Sequence, residues 1–308
     1  MAADRRVGAG VLHARGQVRL AHDGSPHRPP RAAVDPPGRR ARRTPVNDAR
    51  RAAAATRRHP LVQALARAGF AANGVVHALI GVLVVAISAG GRGEADQVGA
   101  LRAVAAVPWG AVVVWAIAVG LWGLALWHLA AGATSRGDGR WGRRASEWSQ
   151  GVVFAAVGTL AASIALGAAP DADGSARVAS RGILAMTGGP FVLAAVGVGI
   201  AVAGVVFVVM GVRRSFEKRM SIPRSAAGAV ARALGIAGFI AKGTALGTLG
   251  VLLIVAAVHT DAARAGGLDS AVDGLLTLPA GRAIATALGV GLMAYGVFCG
   301  FRARYARL

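Results

Sequence analysis

Cysteine occurs once in the 308 residues, as Cys299, which excludes a disulfide framework and a thiolate metal cluster. Acidic residues number only 14 against 35 Lys and Arg, and all of the acids fall outside the long apolar runs. No carboxylate is therefore expected in the apolar segments to bind sodium or cycle a proton, which argues against a cation-coupled transporter. Lysine is confined to Lys218 and Lys242; the abundance of Ala, Gly and Arg fits a GC-rich genome. His-Glu-x-x-His, Walker A, Gly-x-Ser-x-Gly and Cys-x-x-Cys motifs are all missing. Neither an enzyme nor a bound cofactor or metal is expected. Charged residues make up 16% and hydrophobic residues 55%, with a mean hydropathy of +0.53, too apolar a balance for an ordinary soluble domain. The net charge of +21 would suggest nucleic acid on a soluble protein. Here the Arg residues lie almost entirely outside the apolar runs, so no nucleic-acid partner is expected and membrane lipid is the natural environment.

Six apolar segments follow one another, near Phe70 to Ser88, Trp109 to Ala131, Ser149 to Ala168, Phe191 to Val212, Phe239 to Val258 and Ala283 to Phe301. The first lacks any acid, Lys or Arg over its whole length, enough helix to cross a hydrocarbon core of about 30 Å. Each stays apolar all round rather than along one stripe, as a lipid-embedded helix does. Residues 1 to 60 differ: fourteen Arg, four acids and many Pro and Ala read as a disordered basic arm. That arm would lie on anionic lipid, or would be a solvated segment, or would arise from a start placed upstream of a true one near Val46.

The stretch Gly69 to Gly81, GFAANGVVHALIG, returns as Gln150 to Gly158, QGVVFAAVG, and as Gly238 to Gly250, GFIAKGTALGTLG. Gly74, Gly151 and Gly243 correspond, as do Gly81, Gly158 and Gly250. The second helix of each unit is expected to start at Pro108, Pro190 and Pro279, in the first turn where proline fits. The sequence thus predicts an all-α integral membrane protein of three tandem helix pairs, over residues 61–136, 137–220 and 228–308, with pseudo-threefold symmetry about the membrane normal. Twenty-nine of the 35 Lys and Arg lie in the arm, the two loops between units and the C-terminus, and six in the other three loops. The positive-inside rule then predicts both termini in the cytoplasm of a bacterial inner membrane, and an even helix count requires termini on one side.

These residues resemble the bacterial membrane proteins of domain of unknown function 1206, whose unit is a helix pair usually present three times. The resemblance covers roughly Leu61 to Leu308. It rests on Arg67-Ala68-Gly69-Phe70-Ala71-Ala72-Asn73-Gly74-Val75-Val76-His77, on Gly99-Ala100-Leu101-Arg102 leading to Pro108-Trp109-Gly110, and on Leu268-Asp269 leading to Pro279-Ala280-Gly281-Arg282. The family tends to have Arg before the repeated Gly and Tyr three residues after it. This chain departs there, with Asn73, Gln150 and Lys242, then His77, Phe154 and Leu246. The resemblance implies a fold and a membrane location and no known activity.

The repeated glycines, Gly74, Gly151, Gly243, Gly81, Gly158 and Gly250, are read as helix-packing positions. Asn73, Gln150 and Lys242 each precede a repeated glycine, so they are expected to form a polar ring around the axis, with His77 one turn deeper. His77 and His128 are the ionisable groups expected within the apolar segments that could relay a proton. The reading is a non-enzymatic structural or stress-associated membrane protein. A small-solute or ion channel along the repeat axis, lined by Asn73, Gln150, Lys242 and His77, is the alternative.

Overall fold

A computed structural model describes residues 45–137 and 139–307. In order, the helices are α1 (Pro45–Arg58), α2 (Pro60–Ser88), α3 (Gln97–Ala105), α4 (Gly110–Thr134), α5 (Arg140–Ala165), α6 (Ala172–Leu184) and α7 (Gly189–Val212). After a short 3-10 turn at Ser215–Arg219 come α8 (Ala226–Val258), α9 (Leu268–Leu276) and α10 (Gly281–Tyr305). Six of them, α2, α4, α5, α7, α8 and α10, are long and apolar enough to cross a membrane. Among the described residues no strand is formed, as an all-α multi-pass membrane protein requires once water is absent.

The first helix of each pair is longer than its apolar run. Helices α2, α5 and α8 begin at Pro60, Arg140 and Ala226, ahead of the expected Phe70, Ser149 and Phe239. Their first turns carry Arg67, Arg144 and Arg232, and hydropathy marks where a helix leaves lipid rather than where it ends. Residues 45–58, expected within the disordered arm, form α1. Four consecutive alanines, Ala52 to Ala55, favour the helix. Arg57 holds it against α4, lying 5.1 Å from the Trp127 ring centre and donating to Thr134 Oγ1 at 3.3 Å. The rest of the arm lies outside the described residues.

The expected start at proline holds for Pro190 and needs correction in the other two units. Helices α4, α7 and α10 start at Gly110, Gly189 and Gly281, each preceded by a left-handed residue, Trp109, Gly188 and Ala280. Pro108 and Pro279 lie before that residue, whereas Pro190 lies inside the helix. The glycines, not the prolines, are equivalent: a Cβ on any of the three would collide with the carbonyl of Val104, Ile183 or Leu275, at the end of the preceding short helix. Counted from them, Gly120, Gly199 and Gly291 correspond without any gap.

Packing runs around the molecule from unit to unit. Helix α4 packs mainly on α5, α7 on α8, and α10 back on α2, so the second helix of each pair meets the first helix of the next. The repeated glycines lie on these seams. An added Cβ at Gly74 would be 2.6 Å from the Gly296 carbonyl oxygen, at Gly243 2.5 Å from that of Gly204, and at Gly151 2.8 Å from Leu129 Cγ. Gly81 faces Gly289, Gly250 faces Gly197 and Gly158 faces Trp122 in the same way. Small residues let backbones approach where lipid offers no hydrophobic drive to association. Within units the packing is unequal: α2 packs on α4 and α8 on α10, but α5 and α7 share at most marginal contact.

Candidate functional site

At the end of the bundle opposite the start of α2 and the end of α10, the three short helices α3, α6 and α9 are tied to one another in sequence around a ring. Arg102 of α3 donates from Nη2 to the Pro170 carbonyl ahead of α6 at 2.6 Å, and pairs with Glu94 at 2.8 Å. Asp173 of α6 accepts from Gly267 N–H at 2.8 Å, from Ser270 N–H at 3.2 Å, and from the Ser270 hydroxyl. Asp269 of α9 accepts from Ala95 N–H at 2.8 Å, which closes the ring ahead of α3. Asp96 and Asp171 cap α3 and α6, each accepting an N–H three residues on at 2.8 Å. Burial pushes the Asp96 and Asp269 carboxyls above the usual carboxylate range. Bonds from the Gly99 and Ala95 N–H groups oppose that shift, and neighbouring acids reinforce it.

Beneath this cap lies a cavity of about 190 Å³. His77 and Ile80 of α2, Lys242, Ala245, Leu246 and Leu249 of α8, and Leu292 of α10 form its walls. Asp96, Gln97, Ala172, Gly267 and Leu268 line its capped end. His77 Nδ1 donates to the Asn73 carbonyl one turn back, 2.8 Å away, and the ring lies 4.8 Å from that of Tyr295. Lys242 Nζ lies 4.6 Å from the centre of the Tyr295 ring and 5.4 Å from that of Phe207, a cation held against two aromatic faces.

Towards the termini the axis fills with side chains. Asn73 Nδ2 donates to Cys299 Sγ at 3.4 Å, and both residues are buried. Phe216, Phe239, Tyr295, Phe298 and Cys299 form one buried cluster around it, with ring centres 5.1 to 6.3 Å apart. Asn73, His77 and Lys242 are thus brought together, but Gln150 is not with them. Its amide donates back to the Ser146 carbonyl at 3.0 Å, on a helix that has separated from α7. Phe154 also lies away from the cavity, stacked 5.4 Å from His128.

His128 is not a lone imidazole. Fully buried on α4, it meets Glu147 Oε2 of α5 at 2.7 Å. Residue order hid this pair, because Glu147 belongs to an Arg-rich turn that the apolar run excludes and only the longer α5 brings it in. Tyr295, which joins His77 and Lys242, was likewise missed. Its position beside Gly296, already on a close-packed face, was the available signal. Among the described residues no three His, Cys, Asp or Glu side chains gather as a metal site.

The sequence profile of the family described as "Domain of Unknown Function (DUF1206)" matches the chain three times, at residues 68–135, 148–214 and 237–306. The "Uncharacterized protein YxxB" of Bacillus subtilis (strain 168) is 27% identical over 256 residues, covering 81% of this chain and 93% of its own. No solved structure matches the chain significantly.

Proposed function

The chain belongs to the DUF1206 family, and from that premise we propose that it is a non-enzymatic structural protein of the bacterial inner membrane. Its six helices would form a ring around an axis that admits no continuous water path. The observation that carries this reading is the obstruction on both sides of the cavity beneath the cap. The Phe216, Phe239, Tyr295 and Phe298 cluster with the Asn73 to Cys299 bond lies on one side, and the cyclic cap on the other. Among the described residues Lys and Arg concentrate at the end where α2 begins and α10 finishes, so that end would face the cytoplasm. A conduit for a small anion is the second reading, and one feature favours it: Lys242 and His77 face the cavity between the two obstructions. Such a conduit needs a wetted path, which a packed axis excludes.

Accessibility separates the two. In a Cys299→Ser background, which keeps an acceptor for Asn73, single cysteines are placed at Leu246, in the cavity wall, and at Val107, which is 55% exposed beyond the capped helices. Sealed vesicles are then labelled with a membrane-impermeant thiol reagent from either face. A packed axis leaves Leu246→Cys unlabelled while Val107→Cys reacts. Labelling of Leu246→Cys from both faces would replace the structural reading with the conduit.

A further inference from the structure

The weak contact between α5 and α7 has a cause in sequence and a shape in space. In the first and third units the paired helices cross at glycines. Gly69 lies against Gly120, and Gly238 against Tyr295. The equivalent of Gly69 and Gly238 in the second unit, five residues before the repeated glycine, is Ser146. Its opposite number, Gly199, meets nothing within 4 Å. The two helices therefore stand apart, and these two spans are also the least covered by protein, 28% for α5 and 17% for α7.

A groove of about 810 Å³ occupies the gap, within the range of roughly 300–1,000 Å³ that takes a sizeable ligand. Val202, Val206, Met210 and Phe239 make its apolar wall, and the valines are 56% and 52% exposed. At the termini end the groove reaches Arg302, and Arg302 also lines a second hollow of about 310 Å³ with Arg57, Lys218 and Arg307. None of these four cations is paired with a described carboxylate. Glu147, the acid of that hollow, is held by His128. Two N–H groups of its lining residues, Arg57 Nε and Trp127 Nε1, are buried without an acceptor among the described residues. Buried donors without acceptors are rare in native proteins, and an oxygen acceptor in this hollow would satisfy both.

We propose that the chain holds one anionic glycerophospholipid of the surrounding bilayer, its phosphate in the basic hollow and an acyl chain in the α5–α7 groove of the second unit. Arg302 is the hinge of the site because it borders both parts. The charge complementarity selects the headgroup, and the continuous apolar wall selects a chain attached to it rather than a soluble anion. This assignment is independent of whether the axis is wet or dry.

The test uses the full chain purified in neutral detergent, with bound lipid counted by native mass spectrometry. Phosphatidylglycerol is compared with phosphatidylcholine of the same chains, and sn-glycerol 3-phosphate serves as headgroup without chain. The native protein is expected to take up one phosphatidylglycerol in at least about tenfold preference. Arg302→Gln narrows that preference by about fivefold. Val206→Trp, which fills the groove, loses both lipids at that site; thermal melting checks its fold, and Gly199→Phe fills the same groove from an unobstructed position. No saturable phosphatidylglycerol, or a preference unchanged in Arg302→Gln, overturns the proposal. Saturation by glycerol phosphate alone overturns the lipid as occupant, and undiminished lipid binding by folded groove-filled variants overturns the groove as its seat.

Discussion

Replacing Gly74 by alanine tests whether the ring is held shut by backbone contact between its first and last spanning helices. An ideal Cβ at residue 74 lies 2.6 Å from the Gly296 carbonyl oxygen and 3.0 Å from Cys299 Cβ, whereas ordinary contact starts at 3.4 Å. Helices α2 and α10 must therefore separate by roughly 0.8 Å at that crossing, which weakens dispersion contacts along the seam. Overpacking of a closed interface costs about 1–3 kcal/mol. Alanine's preference for helix over glycine offsets about 0.5–1 kcal/mol of that. The net expectation is a loss of up to about 2.5 kcal/mol, centred near about 1 kcal/mol, or a melting temperature lower by about 2–4 °C at that centre. Gly199→Ala supplies the opposite case: nothing lies within 4 Å, so only the helix gain remains and melting should rise slightly. Both variants are purified in one detergent and melted by circular dichroism, with size exclusion before and after. Gly74→Ala melting at or above the native protein would refute the closure contact, as would both variants shifting in the same direction.

The cap and its acids give two further expectations. Asp173→Ala removes the acceptor of three bonds from the α9 region, so the cap should loosen by about 1.5–3 kcal/mol. Amide hydrogen exchange at Gly267 and Ser270 then rises while exchange in α2 and α10 stays slow; unchanged protection of the cap would contradict the link. Asp96 and Asp269 bind protons more readily folded than unfolded, so lowering the pH from neutrality through the carboxylate range should stabilise the cap. That extra stability is lost again as the pH rises through the raised folded values. Asp96→Asn, which can still accept the Gly99 N–H, should flatten the dependence, as read by melting from pH 7 down to pH 4 in native and variant protein. A steeper dependence in the variant would show the sign to be wrong.

Hydropathy made the six spans legible, because a lipid-facing helix must be apolar on all sides. The repeated glycines made the three units legible for the same physical reason that they lie on seams: close backbone approach tolerates no side chain. What a glycine cannot announce is its partner. Gly74 meets Gly296 of the third unit rather than its own second helix, and nothing local to residues 69–81 distinguishes those outcomes. The proline register misled because Pro108 and Pro279 precede a left-handed residue while Pro190 follows one. Equal polar residues at Asn73, Gln150 and Lys242 suggested a ring. Ser146 in place of a glycine broke it, by letting α5 stand off from α7 and carry Gln150 away. The cap links were hard to see because most of them join a side chain to a backbone group, which carries no residue signature, and the one between Asp173 and the Ser270 hydroxyl joins residues 97 positions apart.

The seam between α10 and α2 has a consequence for biogenesis. Asn73 must wait for Cys299, and Ala95 for Asp269, so partners made early in translation stay unmatched until the last helix has entered the bilayer. Local pairs such as α4 with α5 can assemble as they emerge, but the ring cannot close until synthesis is nearly complete. A chain stalled or cut before α10 would expose the glycine face of α2 to lipid. Membrane proteases would meet that incomplete form as a distinct substrate, and cells should clear it faster than the finished protein.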